Sequence, residues 1–231
     1  SQDAWERVQT ANRLEPGNAL YQLTRARLAA GNGDLTEALL FTENVAQEKA
    51  NPAVVRARAE YQWGNLLALG PEPNFQEALN HHLKAIELSA KHVTDKHNEL
   101  RRMAKDILVD AHLAIAQDIA LGNFQRQREV VAKWLSRATE LAEEFITEDS
   151  GDETVRREIY RTTLAVYSVL EGNFDSSVAT DEAIQEGQRL VAASNDRMFQ
   201  HRVERELAET LYHAAKVEHR CGRFSTALKY A

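Results

Sequence analysis

The sequence is poor in the residues that several protein classes require. Its one cysteine, Cys221, has no partner for an internal disulfide, which excludes the disulfide-rich secreted folds and favours a reducing compartment. Four prolines leave room for long helices. Aromatic residues make up only 7% of the chain, and the alternating pattern of half-buried strands is nearly absent. Together these scarcities predict an all-α protein.

The chain also lacks long apolar runs and an excess of positive charge. No run approaches the roughly 20 residues of a membrane-spanning helix, so membrane insertion is not expected. A net charge of −7 disfavours nucleic acid or an anionic lipid surface as the main partner. The composition predicts a soluble, cytoplasmic protein. The first residues have a helical pattern instead of an initiator methionine or signal peptide, so the chain looks like a fragment and a periplasmic location stays open.

A short turn recurs along the chain. Each copy has a glycine followed two residues later by a phenylalanine, and these phenylalanines are fifty residues apart, at Phe124, Phe174 and Phe224. Related turns lie upstream at Asn74-Phe75 and Gly33-Asp34-Leu35. Because each copy ends one helical pattern and opens the next, the chain is interpreted as a series of antiparallel helix hairpins. The ring after each turn is predicted to fill the gap within its own hairpin.

Capping residues delimit the helices. Asn18, Asp34 and Asn74 are predicted N-caps, and Asn51-Pro52 is predicted to supply a cap and a first-turn proline. The pattern predicts about eleven helices, the first ending near residue 14 and the others covering about 19–30, 34–50, 52–70, 74–92, 94–121, 124–147, 151–171, 174–193, 196–221 and a last one after residue 222.

The residues around these turns resemble tetratricopeptide repeats. The matching positions are Ala4, Val8, Ala11 and Pro16; Ala26, Gly33, Leu35 and Ala38; Trp63, Gly64, Phe75, Ala78 and Ala85; and Ala215, Gly222, Phe224 and Ala227. The resemblance implies a right-handed superhelical solenoid of antiparallel helix hairpins. It forms one repeat domain over 1–231, divided into a partial repeat 1–17, hairpins 18–51, 52–93, 94–149 and 150–194, and an incomplete hairpin 195–231. The central spacing exceeds the family's 34-residue unit.

The resemblance also implies a binding face. Such repeats hold extended peptides or partner helices on a concave face that the first helix of each hairpin lines. The corresponding candidate residues are Arg27, Arg58, Tyr61, Asn65, His112, Val166, Tyr212, Lys216 and His219. Their mixed character suits a peptide with an apolar centre and some acidic residues. The carboxylate clamp of the chaperone-binding subgroup is not matched, since Tyr61 stands at its lysine position and Leu113 at an asparagine position.

No pattern for catalysis or metal binding is evident. No two of the eight histidines are three or four residues apart, and His81 and His82 are predicted to point in different directions. There is neither a zinc motif nor a glycine-rich phosphate loop, so no metal or cofactor is expected. The predicted function is a non-catalytic scaffold that binds a protein or peptide partner. The alternative is a regulatory or sensory region of a larger enzyme or signalling protein. A homo-oligomer stays open.

Overall fold

The computed structural model describes residues 17–122, 127–148, 176–193, 197–220 and 222–231, together with 6–7, 10–11 and 13–15. Within these ranges the regular secondary structure is helical and contains no strand. The prediction of an all-α protein is therefore confirmed for the described residues, whereas the superhelical solenoid stays a prediction. The chain divides into two compact units, Ser1–Asp118 and Ile119–Ala231.

The described helices follow the predicted order. They are α1 (Ala19–Gly31), α2 (Leu35–Gln47), α3 (Ala53–Leu69), α4 (Phe75–Ser89) with a 3₁₀ turn at Ala90–His92, α5 (Asn98–Leu121), α6 (Gln127–Glu148), α7 (Ser176–Ala193), α8 (Arg197–Arg220) and α9 (Phe224–Tyr230). The predicted helix 151–171 lies outside the described residues. Helix α5 begins four residues later than the predicted start at Thr94.

Three of the four predicted caps are confirmed. The side chain of Asn18 accepts hydrogen bonds from the backbone N–H groups of Leu20 and Tyr21 at the start of α1. Asp34 and Asn74 accept from the third residue of α2 and α4 in the same way. The prediction that Asn51 caps α3 is wrong, because Pro52 occupies the N-cap position there. The Asn51 amide instead donates to the carbonyl oxygen of Val45, near the end of α2, at 3.0 Å.

Helix α3 is buried on two sides and organises the first unit. One side packs on α1 and α2 in a cluster of Leu23, Val45, Ala46, Val55 and Ala59, with Ala29, Ala38 and Leu66 forming a second cluster nearby. Its other side contributes to a cluster with α4 and α5, made of Val54, Ala57, Ala85, Ala104, Ile107 and Ala111. Alanine at so many of these positions lets the helix backbones approach closely, which is how one helix can cover four neighbours.

The helices of the second unit also bury apolar residues along one face. Helix α8 contacts both α7 and α9. The buried residues on α6 lie on one helical face, with the spacing of an amphipathic helix: Val131, Leu135, Ala138, Leu141, Ala142 and Phe145. On α9 the buried residues are Ala227 and Tyr230. A continuous apolar face on each helix is what lets these amphipathic segments fold together.

The predicted role of the ring after the turn is wrong for Phe224. Its side chain is 59% exposed, and its ring makes a T-shaped contact with the ring of His219 on α8, with centroids 5.3 Å apart. Leu35, the equivalent residue of the α1–α2 hairpin, is half-buried and packs against a cluster of Ala29, Ala38 and Leu66, to which α1, α2 and α3 each contribute one residue. Phe75 is half-buried, and Phe124 and Phe174 lie outside the described residues.

Candidate functional site

A cleft of about 420 Å³ lies on the first unit. Its walls come from α1, α3 and α5, which are the first helices of successive predicted hairpins. The lining residues are Leu20, Leu23, Thr24, Arg27, Arg58, Gln62, Glu99, Arg102, Met103 and Asp106. We call this surface the α1–α3–α5 cleft. It occupies the kind of face on which the family resemblance places a ligand.

Helical spacing explains why these side chains share one surface. Leu20, Thr24 and Arg27 are four and three residues apart on α1, so they project from the same face. Arg58 and Gln62 are four apart on α3, and the lining residues of α5 repeat the same interval. The Gln62 amide donates to the Leu23 carbonyl at 3.2 Å and so links the α3 wall to the α1 wall.

The cleft combines three arginines with two carboxylates and two accessible apolar side chains. Arg58 lies near a carboxylate and an aromatic ring, with Nη1 3.6 Å from Oδ2 of Asp110 and the guanidinium 5.8 Å from the centre of the Tyr61 ring. Arg27 and Arg102 are exposed at the rim. Guanidinium groups bind carboxylates through paired hydrogen bonds. The arrangement can therefore hold a carboxylate-bearing segment, with Leu20 and Met103 available to an apolar neighbour.

The structure brings together two of the nine candidate residues in this cleft, Arg27 and Arg58. Tyr61 packs against the α3–α4–α5 core, and Asn65 is half-buried on α3 outside the lining. His112 is buried within α5, where its Nδ1 donates to the carbonyl oxygen of Leu108 at 2.6 Å. The buried environment of that stretch of α5 explains why His112 is not a lining residue.

The remaining candidates belong to the second unit. Tyr212 and His219 line a separate apolar groove on α8 and α9. Lys216 is on α8, but its side chain, like the whole of Val166, lies outside the described residues. One continuous binding face along all nine residues thus stays a prediction.

The α5 residues that line the cleft were not among the predicted candidates, which named His112 on this helix. Glu99, Arg102, Met103 and Asp106 all line the cleft. Their spacing of three and four residues near the start of a helix was a readable signal for one shared face. What the pattern could not indicate is that this face opposes α1.

Two buried polar clusters join α3, α4 and α5 beside the core. Nδ1 of His82 lies 2.6 Å from Oδ2 of Asp118, and both side chains are buried. Glu60, also buried, accepts a hydrogen bond from Nδ1 of His81 at 2.7 Å and pairs with Lys84 at 2.5 Å. The adjacent histidines thus contact carboxylates on different helices, Glu60 on α3 and Asp118 on α5, which confirms that they point in different directions.

These environments shift two carboxyl pKa values in opposite directions. Burial raises the pKa of Asp118, and its hydrogen bond to His82 offsets only part of that rise. Burial also acts to raise the pKa of Glu60, but hydrogen bonds and positive charge from His81 and Lys84 outweigh it, so that pKa lies below its ordinary value. Both carboxyls are sealed beneath packed helices, so their chemical effect is on stability.

The part of the chain that the structure describes contains no group of three or more histidine, cysteine, aspartate or glutamate side chains placed to bind a metal ion. None of its helices combines the length and the apolar character needed to cross a membrane. Neither a family model nor a curated protein matches this sequence. The geometry of the cleft is therefore the basis for a functional proposal.

Proposed function

We propose that this chain is a non-catalytic protein-interaction module whose α1–α3–α5 cleft binds an extended peptide segment of a partner protein. The observation that carries the proposal is the convergence of Arg27, Arg58 and Arg102, from three separate helices, on one cleft that also exposes Leu20 and Met103. The ligand it fits best bears a carboxylate next to an apolar side chain. The volume of about 420 Å³ is in the usual range of ligand sites.

The surroundings of Arg58 support this ligand chemistry. Its Nη1 lies 3.6 Å from Oδ2 of Asp110, which is beyond hydrogen-bond distance, so this nitrogen is not committed to a hydrogen bond with that carboxylate. Glu99 and Asp106 on α5 add negative charge to the lining of the same cleft. A polyanion such as a nucleic acid backbone would be repelled by them, whereas a peptide of mixed charge could pair with both signs.

The inaccessibility of the two buried polar clusters supports a non-catalytic function. His82, Asp118 and Glu60 are the described residues whose environments most resemble an acid–base site, since His82 lies 2.6 Å from Asp118 and the pKa values of the two carboxyls are shifted. All three side chains are nevertheless closed to solvent, with at most 2% exposed. A substrate could not reach them without separating α3 from α4.

The test is a peptide selection followed by charge reversal. A displayed library of random 12-residue peptides is selected on the full chain, and the affinities of enriched peptides are measured by fluorescence anisotropy. Arg27→Glu with Arg102→Glu should weaken binding at least tenfold, about 1.4 kcal/mol. The matched control is Arg137→Glu with Arg197→Glu, two exposed arginines of the second unit, which should leave affinity unchanged.

Raising the ionic strength should weaken the same peptides, because part of their affinity comes from exposed charge pairs. Circular dichroism checks that both double variants retain the helical content of the parent chain. Failure to enrich any peptide, or equal loss of affinity in the cleft variant and its control, would refute the proposed function.

A further inference from the structure

The α5 wall of the α1–α3–α5 cleft carries two exposed side chains of opposite charge. Glu99 and Arg102 both line the cleft and are both exposed, whereas Asp106, about one turn further along α5, is half-buried. Glu99 and Arg102 are three residues apart, a spacing at which opposite charges on a helix surface can pair. Among the described residues, however, no ion pair or hydrogen bond joins their side chains.

A comparable pair on another helix does form an ion pair. Arg137 and Glu140 on α6 are also exposed and three residues apart, and Nη1 of Arg137 lies 3.1 Å from Oε2 of Glu140. The charges of Glu99 and Arg102 are not neutralised in this way. A ligand can therefore pair with each of them without first breaking an ion pair within the protein.

The other walls of the cleft determine where each ligand charge is favoured. Arg27 lines the cleft from α1, and Arg58 lines it from α3 with Nη1 buried and donating no hydrogen bond to a described residue. Positive charge thus comes from all three helices, whereas carboxylates come from α5 alone. Glu99, in the first turn of α5, is the exposed one. A basic group of the ligand is therefore favoured beside Glu99, and an acidic group beside the arginines.

Backbone geometry sets the spacing of the two ligand charges. Three residues of an α-helix rise about 4.5 Å, whereas side chains on one face of an extended segment are two residues and about 6.6 Å apart. The long, flexible side chains of Glu99 and Arg102 can span the difference of about 2 Å. Side chains of adjacent residues in the ligand would point to opposite faces. An extended ligand running along α5 therefore meets Glu99 and Arg102 with side chains two residues apart.

We propose that the α1–α3–α5 cleft selects an extended segment with an acidic and a basic side chain two residues apart, the acidic one meeting Arg102 and the basic one meeting Glu99. This inference rests on the proposed function and adds the second charge of the ligand and its position. Glu99 determines specificity, because it repels a ligand whose charges are all acidic and attracts one with both signs. A role limited to the helix dipole of α5 would affect stability and not the choice of ligand.

The test exchanges the two charges of the cleft and conserves the net charge of the chain. Peptides enriched on the parent chain are synthesised in their original form and with their acidic and basic residues exchanged, and fluorescence anisotropy gives the affinities. The parent should prefer the original form by about fivefold or more, and Glu99→Arg with Arg102→Glu should prefer the exchanged form by a similar factor. Arg137→Glu with Glu140→Arg, the same exchange at the same spacing on α6, should keep the parent's preference.

A single substitution separates ligand choice from helix stability. Glu99→Gln should weaken the original peptides about threefold. Glu129→Gln, which also changes an exposed glutamate in the first turn of its helix, should leave their affinity unchanged. Circular dichroism checks that every variant retains the helical content of the parent.

Three results would overturn the inference: enriched peptides that lack an acidic and a basic residue two positions apart, an exchanged chain that keeps the parent's preference, or no loss of affinity in Glu99→Gln. If Arg27→Glu with Arg102→Glu still weakens binding in those cases, the proposed function stands and only the charge pair fails. If no peptide is enriched at all, both fail.

Discussion

Replacing Gly64 by alanine should destabilise the first unit far more than a glycine-to-alanine change in a helix normally does. A β-carbon at this position would lie 2.3 Å from Nε2 and 2.5 Å from Cδ2 of His82. Both distances are well inside van der Waals contact. The His82 ring is completely buried and is held by Asp118 at 2.6 Å, so it cannot swing aside into solvent.

The size of the effect follows from three contributions. Overpacking a buried site costs about 1–3 kcal/mol. Weakening a buried hydrogen bond to a carboxylate costs about 1.5–3 kcal/mol. Alanine's higher helix propensity offsets about 1 kcal/mol of this. The expected net loss in the free energy of unfolding is therefore about 1.5–5 kcal/mol.

Gly187 provides the matched control within another helix. The atoms nearest to a β-carbon there would be the two terminal methyl groups of Leu207, both at 3.3 Å, which can shift by a few tenths of an ångström. Gly187→Ala should therefore be neutral or should stabilise the chain by up to about 1 kcal/mol. Urea unfolding followed by far-UV circular dichroism measures both variants under the same conditions.

A double-mutant cycle identifies the cause. If the imidazole is the obstacle, Gly64→Ala should be at least about 1 kcal/mol less destabilising in a His82→Ala background than in the parent chain. The reasoning is refuted if the two backgrounds give the same loss, or if Gly64→Ala behaves like Gly187→Ala.

Three further predictions concern protonation, capping and backbone conformation. Because burial raises the pKa of Asp118, the parent should lose stability relative to Asp118→Asn as the pH rises above 3.8 through the raised value. Because the pKa of Glu60 is lowered, the parent's advantage over Glu60→Gln should be present above pH 4.5 and should be lost as the pH falls through the lowered value. Unfolding free energies measured against pH check both, and differences that do not change with pH would contradict them. Asn74→Ala should cost about 1 kcal/mol through loss of the cap of α4, whereas Asn74→Asp should be nearly neutral in the same urea assay. Gly33→Ala should cost about 1 kcal/mol, since φ is 86° in otherwise open space, whereas Gly31→Ala, in open space within α1, should not lower the melting temperature.

Local chemistry made most helix ends predictable. The caps at Asn18, Asp34 and Asn74 depend only on a side chain and the backbone two or three residues further on. The same locality explains the error at Asn51, where two local solutions compete. The Asn51 side chain donates to the Val45 carbonyl near the end of α2 and does not cap α3, whose N-cap position is occupied by Pro52.

A site residue could be predicted from the sequence only where its exposure depends on the spacing within a single helix. Arg27 and Arg58 were correctly placed on accessible faces of helices that line a cleft. His112 was expected beside them, but this part of α5 is buried nearly all around, so no face was left for a groove. Arg102, one helix turn from the N-terminus of α5, lines the cleft instead. Which turn of α5 faces α1 depends on the position of α5 along its own axis relative to the neighbouring helices. That axial position is set by side-chain packing between the helices.

The turns show what the sequence alone determines, and the buried polar pairs show what only the tertiary structure determines. Gly33 and Gly222 end their helices through a left-handed backbone that glycine adopts without a steric penalty, so these two bends depend on residues close in sequence. The pairing of His82 with Asp118, and the exposure of Phe224 where Leu35 is covered, were decided only in the tertiary structure. Contacts between residues far apart in the chain depend on which helices become neighbours, and this is set by the summed packing of many side chains.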